Sequence, residues 1–347
     1  MKKLGLWVVV VVAVVVQSSG SLTGEAHAAA VRNLAGFTSN TLPANDDGST
    51  GLVSIGFPVN FFGLTFTQLY VNNNGNVTFD ASLSSFTPFG LNGTARQIIA
   101  PFFADVDTEG SGSSEVTYGT DTVDGRPAFG VNWINVGYYS ERSDKLNSFQ
   151  LILIDRSDLA AGAFDIEFNY DQIQWETGEA SSGTNGLGGA SVRVGFSNGT
   201  GIPGTSFELS GSAVNGALLD SNLSRGLIFN KLNNPLVGRY LFRARGGFIL
   251  EACANADGLA ALVSGLGLPP SRERSLQKSV DIIRRSLQRK NGYAGRKECN
   301  VLARRVATLV RVGLVDSSTA SGLVGFCAAI GTGGCGGSVT PVVTDTP

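Results

Sequence analysis

The stretch GLVSIGFPVNFFGLTFTQLYVNNNGNVTFD, residues 51–80, decides how this chain folds. Two short apolar segments, 55–62 and 64–71, are followed by Asn74-Gly75 and then by 76–79. These runs are too short and too broken for a helix and suit strands joined by tight turns. Asn74 and Gly75 tolerate the positive φ of a two-residue turn, so the chain should reverse there and pair Val71 with Val77 or its neighbour. After a polar loop, QIIAPFFADVD (97–107) supplies another apolar segment and ends on Asp105 and Asp107. Hydrophobes, amides and glycines dominate, and no nucleophile or base stands out.

Working outward, the alternating pattern persists to about residue 243. Phe129, Val131 and Trp133 point to one side of 128–136, whereas 149–154 is apolar on both sides. In 164–170, Phe164, Ile166 and Phe168 alternate with Asp165, Glu167 and Asn169, which predicts an antiparallel sheet with one wet face. Residues 137–147, with Tyr138 and Tyr139, read as an exposed loop, and 179–189, rich in Gly, Ser and Thr, as a flexible one. Many short strands need a second apolar face, so the expected fold is mainly β, a two-layer antiparallel β-sandwich.

Residues 1–28 read as an export signal: Lys2 and Lys3, the apolar run 4–16, and Ala26-His27-Ala28 as a small-residue cleavage pattern. The run is shorter than the roughly 17–25 residues of a bilayer span. A secreted or cell-surface product without a transmembrane segment is expected after cleavage. His27 is the one histidine, and its removal excludes His-based triads and His-ligated zinc.

Beyond Gly246-Gly247 the composition shifts. Residues 31–250 carry 12 Lys or Arg against 20 Asp or Glu, whereas 271–311 carry 12 against 3. The period becomes helical, predicting a small α-helical bundle after the sandwich. One helix follows Pro269-Pro270, over 271 to about 290, with Leu276, Val280, Ile283 and Leu287 on a stripe. A second, about 295–312, buries Cys299, Leu302, Val306 and Leu309. A third, from Asp316, places Ala320, Leu323, Cys327 and Ile330 inward. Four cysteines in an exported chain argue for two disulfides. The short 313–316 turn makes the last two helices antiparallel, which brings Cys299 to Cys327 and leaves Cys253 for Cys335. The expected organisation is a signal (1–28), a β domain (31–247), a helical module (252–335) and a disordered tail (336–347).

The strings YVNNNGNVTF (70–79) and IIAPFFADVDT (98–108) are followed in order by FQLILI (149–154), FDIEFNYDQIQWE (164–176) and SVRVGFSNG (191–199). Together they resemble the nidogen-like extracellular domain, NIDO, over about 57–243. That resemblance implies a mostly β extracellular domain of adhesion and matrix proteins with no established activity. The helical residues 275–330 resemble the FIMAH-type module of secreted bacterial proteins, which implies a bacterial, extracellular origin.

These readings converge on a non-enzymatic adhesion or matrix-type protein that meets an extracellular protein or glycan. The expected binding edge comprises Asn72, Asn73, Asn74 and Asn76, residues 105–109, and Tyr138 and Tyr139 through Lys145. No cofactor is required, but Asp105, Asp107 and Glu109 could converge on calcium, which takes several oxygen ligands. Asn45-Asp46-Asp47-Gly48 could cap a turn or ligate a hard cation. N-x-Ser/Thr patterns occur at Asn76, Asn92, Asn198 and Asn222. Clustered positive charge on the helices, including Arg284, Arg285, Arg289 and Arg304, could meet an anionic surface, and no nucleic-acid fold accompanies it. Two alternatives are a structural coat component and a carbohydrate hydrolase using a carboxylate pair among Glu167, Asp171 and Glu176.

Overall fold

The computed structural model describes residues 29–201, 204–249, 259–260, 263–264, 266–289, 292–315, 319–320, 323–324 and 327. The expected signal (1–28), Cys253, Cys335, Ile330, the start of the third helix at Asp316, the Leu287 side chain and the tail lie outside the described residues.

The strands run in chain order as β1 (Asn40–Leu42), β2 (Val53–Phe61), β3 (Leu64–Asn72), β4 (Asn76–Thr78), β5 (Gln97–Phe103), β6 (Val106–Asp107) and β7 (Val116–Val123). They continue as β8 (Arg126–Tyr138), β9 (Arg142–Asp155), β10 (Phe164–Ile173), β11 (Arg193–Asn198), β12 (Ser206–Glu208), β13 (Arg239–Arg245) and β14 (Phe248–Ile249). An eight-stranded sheet is ordered β1-β7-β8-β9-β10-β13-β14, with β6 beside β8, and a six-stranded sheet is ordered β12-β11-β5-β4-β3-β2. Every pairing between named strands is antiparallel. The expected reversal at Asn74-Gly75 pairs Val71 with Val77 and Asn72 with Asn76. Gly75 sits at φ 69°, and a Cβ there would lie 1.8 Å from the Phe102 carbonyl oxygen, so only glycine fits this turn.

The alternating apolar residues of both sheets meet in one core. Ile55, Val59, Phe61, Val71, Val77, Ile99 and Phe102 from the smaller sheet join Phe129, Val131, Trp133, Phe149, Leu151, Phe164, Ile166 and Phe168 from the larger. Trp133 stacks on Phe149 with centroids 5.2 Å apart, and Phe102 meets the same ring at 5.1 Å. Each such ring removed from water contributes roughly 1.5–3 kcal/mol, which makes this layer the main source of stability.

Two expectations about exposure are overturned. The outward face of β10 is not wet: Asp165, Glu167 and Asn169 are buried, because residues 30–38 lie across Glu167 and its neighbours while Arg156 and Arg245 close on Asp165. Gln150 donates to the Asn132 side-chain oxygen at 2.7 Å and to the Arg32 carbonyl at 2.9 Å, while Asn169 donates to Gln150 at 2.8 Å. Phe37 completes the cover by packing on Val123, Ala128, Ile152 and Ile154. Nor is 137–147 an open loop. β8 and β9 run almost to the tip, pairing Tyr138 with Arg142, and Tyr138 is fully buried.

The sandwich is followed by a small bundle of α1 (Pro270–Gln288) and α2 (Gly292–Arg311). Leu276, Val280, Ile283, Cys299, Leu302, Val306 and Leu309 form its core with Ala320, Leu323 and Cys327. A disulfide joins Cys299 to Cys327, with Cα atoms 5.7 Å apart. No helix among the described residues is long and apolar enough to cross a membrane.

Candidate functional site

The β3–β4 hairpin carries the densest polar constellation. Asn73 and Asn74 lie at its turn and Asn72 and Asn76 flank them, and all four are buried. Asn72 donates to Asn76 Oδ1 at 2.8 Å and Thr78 Oγ1 at 3.0 Å, and accepts from Ser49 Oγ and the Leu83 N–H. Asn73 Nδ2 donates to the carbonyls of Asn45 (2.9 Å), Asp46 (2.6 Å) and Val106 (2.6 Å), while the Asn73 carbonyl accepts from Trp133 Nε1. Asn74 accepts from the Val106 N–H at 2.8 Å and donates to Asp47 Oδ1 at 2.7 Å. The amides therefore tie three distant segments together. They are a scaffold and not the solvent-facing contact residues the sequence suggested, because their donors and acceptors are consumed inside the fold.

What the scaffold gathers is acidic. One carboxylate oxygen each from Asp46, Asp47 and Asp105 lie within 4.8 Å of one another. Asp105 is 1% exposed, and neither of its side-chain oxygens has a hydrogen-bond partner; Asp46 Oδ1 is also buried without one. Gly178 closes over the group: a Cβ there would lie 2.2 Å from Asp105 Oδ2. Two unit charges 4.8 Å apart at an effective dielectric of about 20 repel by roughly 3 kcal/mol. Burial, then the charges of Asp46, Asp47 and Asp107, push Asp105 up to about 7. Burial, followed by Asp47, Asp107 and Glu109, pushes Asp46 up to about 6. Burial also raises Asp47, against the lowering effect of the Asn74 hydrogen bond.

Asp107 and Glu109 do not share this position. Asp107 spends its oxygens on the backbone N–H groups of Glu109 (2.8 Å) and Glu141 (2.7 Å), and Glu109 is exposed. Of the expected set of Asp105, Asp107 and Glu109, Asp105 alone lies in this cluster, beside Asp46 and Asp47. Asn45-Asp46-Asp47-Gly48 was legible as a turn or a cation ligand, but its approach to Asp105, across almost sixty residues, left no local signal. Tyr138 donates to Asp144 at 3.0 Å from a buried ring, and Tyr139 is half-buried. Asn76 and Asn198 are buried, which removes both from the glycan acceptors the sequence offered.

Of the carboxylates considered for hydrolysis, Glu167 and Glu176 are buried and Asp171 is exposed. Glu167 takes a two-point ion pair from Arg32, at 2.7 and 3.1 Å, and a hydrogen bond from Asn169. That bond to Glu167 raises the Arg32 pKa against the effect of burial. Asp171 accepts the N–H groups of Ala30 and Val31, and Glu176, fully buried, accepts from Gly216 through one oxygen while the other has no partner, and burial raises its pKa.

The fold and site define a two-sheet antiparallel β-sandwich with an acidic cluster at the β3–β4 hairpin. Residues 67–246, more than half of the chain, match the family described as the nidogen-like domain, and the chain belongs to that family. It is 36% identical to mouse alpha-tectorin over 186 residues, 45% of this chain and 8% of that protein. Identity to the nidogen of Drosophila melanogaster is 29% over 174 residues, 43% of this chain and 12% of that protein. Mouse nidogen-2 is 32% identical over 150 residues, 35% of this chain and 11% of that protein. The chain thus matches about a tenth of the length of these relatives. No solved structure matches it. Asp46, Asp47 and both helices lie outside the family match.

Proposed function

We propose that this is an exported, non-enzymatic adhesion or extracellular-matrix-type protein, with residues 1–28 removed and the sandwich presenting a surface to an extracellular protein or glycan. Family membership supports the class. The observation that carries the non-enzymatic reading is that Glu167 is locked to Arg32 and Glu176 is fully buried, which leaves Asp171 as the one exposed carboxylate of the three, whereas a glycosidase needs two carboxylates free to face a sugar. With the asparagines buried, the contact surface moves to the outer rim: half-buried Tyr139, exposed Glu141 and Asp144, and Lys145. Arg142, paired with Glu179 at 2.6 Å, and Lys145, bonded to the Asn185 carbonyl, hold this rim against the 179–189 loop. A half-buried tyrosine among fixed charges suits a sugar face or a polar peptide.

An array of glycans and matrix proteins probed with the full chain should give saturable binding that a Tyr139→Ala/Lys145→Ala variant loses. Turnover of a polysaccharide without saturable adhesion would overturn the class. A second contact is favoured by the helices, where Arg285, Arg289, Lys297 and Arg304 are all exposed. Clustered cations attract an anionic surface with strong salt dependence, so retention on anionic beads should fall as salt rises.

A further inference from the structure

We propose that Asp46, Asp47 and Asp105 form a binding site for one hard divalent cation of the calcium class. Three oxygens bound to one ion at about 2.4 Å can lie no more than about 4.8 Å apart, and these carboxylates satisfy that limit. The second observation is independent of the clustering: Asp105 is buried with both oxygens unpartnered, and one of them lies within 4.8 Å of an oxygen of each of the other two carboxylates. Buried anions are ordinarily paired or bound to a metal. Among the described residues no lysine or arginine forms an ion pair with any of the three.

The ligands are also held in place. Asn73 grips the Asn45 and Asp46 carbonyls, Asn74 grips Asp47 Oδ1, and both hold Val106, next to Asp105. The donor set is all oxygen, which selects a hard ion over zinc or copper. Three converging carboxylates, able to bind through one or both oxygens, suit the six to eight ligands of calcium; magnesium usually keeps several waters and takes one or two carboxylates. An ion here would fasten the 45–48 turn to the β5–β6 corner across the β3–β4 hairpin. The site stands apart from the adhesion reading, since its test needs no partner.

The test is isothermal titration and thermal unfolding of the chelator-treated full chain with calcium and with magnesium, repeated for D105N, D47N and E109Q. Calcium should bind one per chain. At free calcium one hundred times its Kd, Tm should rise by about 5–10 °C. E109Q should respond like the parent. D47N should bind at least tenfold more weakly, and D105N should lose the response while melting in chelator no lower than the parent, since it removes an unpaired buried charge. Should D105N fail to fold, the half-exposed D47N decides the matter. Superimposable parent melts in calcium and chelator with no heat of binding, or a response abolished by E109Q and kept by D47N, would overturn the proposal; an equal response to magnesium would overturn the calcium assignment.

Discussion

Replacing Arg32 with alanine should destabilise the sandwich by about 3 kcal/mol. The guanidinium spans Glu167 with bonds of 2.7 and 3.1 Å, and Glu167 is 1% exposed whereas the Arg32 side chain is 20% exposed. Removing one partner of a buried pair costs about 3–5 kcal/mol because the other charge is stranded. Two features place this pair at the lower end of that range. Asn169 still donates to Glu167 at 2.9 Å, and the space vacated by Arg32 opens toward solvent. For a unit of this size the loss corresponds to a drop of about 6–12 °C in Tm. Urea unfolding followed through buried Trp133 and Trp175 should show a lower midpoint with an unchanged slope. Arg32→Ala combined with Glu167→Gln should recover about 1–2 kcal/mol relative to the sum of the single changes. A loss under about 0.5 kcal/mol would refute the reasoning, since it would mean that the strap over β10 carries no energy.

Two further outcomes test other parts of the fold. Asn73→Ala leaves the carbonyls of Asp46 and Val106 without this donor, whereas the Asn45 carbonyl keeps the Thr108 N–H and hydroxyl, and each stranded buried group costs about 1–3 kcal/mol; urea titration should show a loss of at least about 2 kcal/mol, and a loss under about 0.5 would contradict a scaffold role. Burial, against the lowering effect of the Ile173 N–H, pushes Asp220 up to about 6. Its folded pKa thus exceeds an unfolded value near 4, so the native state holds the extra proton between these limits and this contribution is lost as pH rises through about 6. Asp220→Asn keeps the acceptor for Ile173 and should therefore gain Tm over the parent at pH 7.5 relative to pH 4; a pH-independent difference would contradict this.

Much of the sandwich was legible because its signals are local. Asn74-Gly75 announced the reversal that pairs Val71 with Val77, and the alternation of Phe164, Ile166 and Phe168 identified the core face of β10. The same alternation misled about the other face. Period two separates polar from apolar side chains, but cannot reveal that Arg32, 135 residues earlier, will cover the polar ones. Tyr138 failed for a related reason: a polar, aromatic stretch reads as a loop until long strand pairing draws its ring inside. At the acidic cluster, Asp105 was singled out by its place after an apolar strand. Asp107 and Glu109 are its neighbours in sequence, whereas the fold at the hairpin sets Asp46 and Asp47 beside it. The two helices announced themselves through 3.6-residue periodicity, and the expected disulfide between Cys299 and Cys327 is formed.

The most direct measurement of the cation site is an anomalous difference map from crystals of the full chain in which a lanthanide replaces calcium. One peak about 2.3–2.6 Å from carboxylate oxygens of Asp46, Asp47 and Asp105 is predicted. A map without that peak, or with the ion between Asp107 and Glu109, would contradict it.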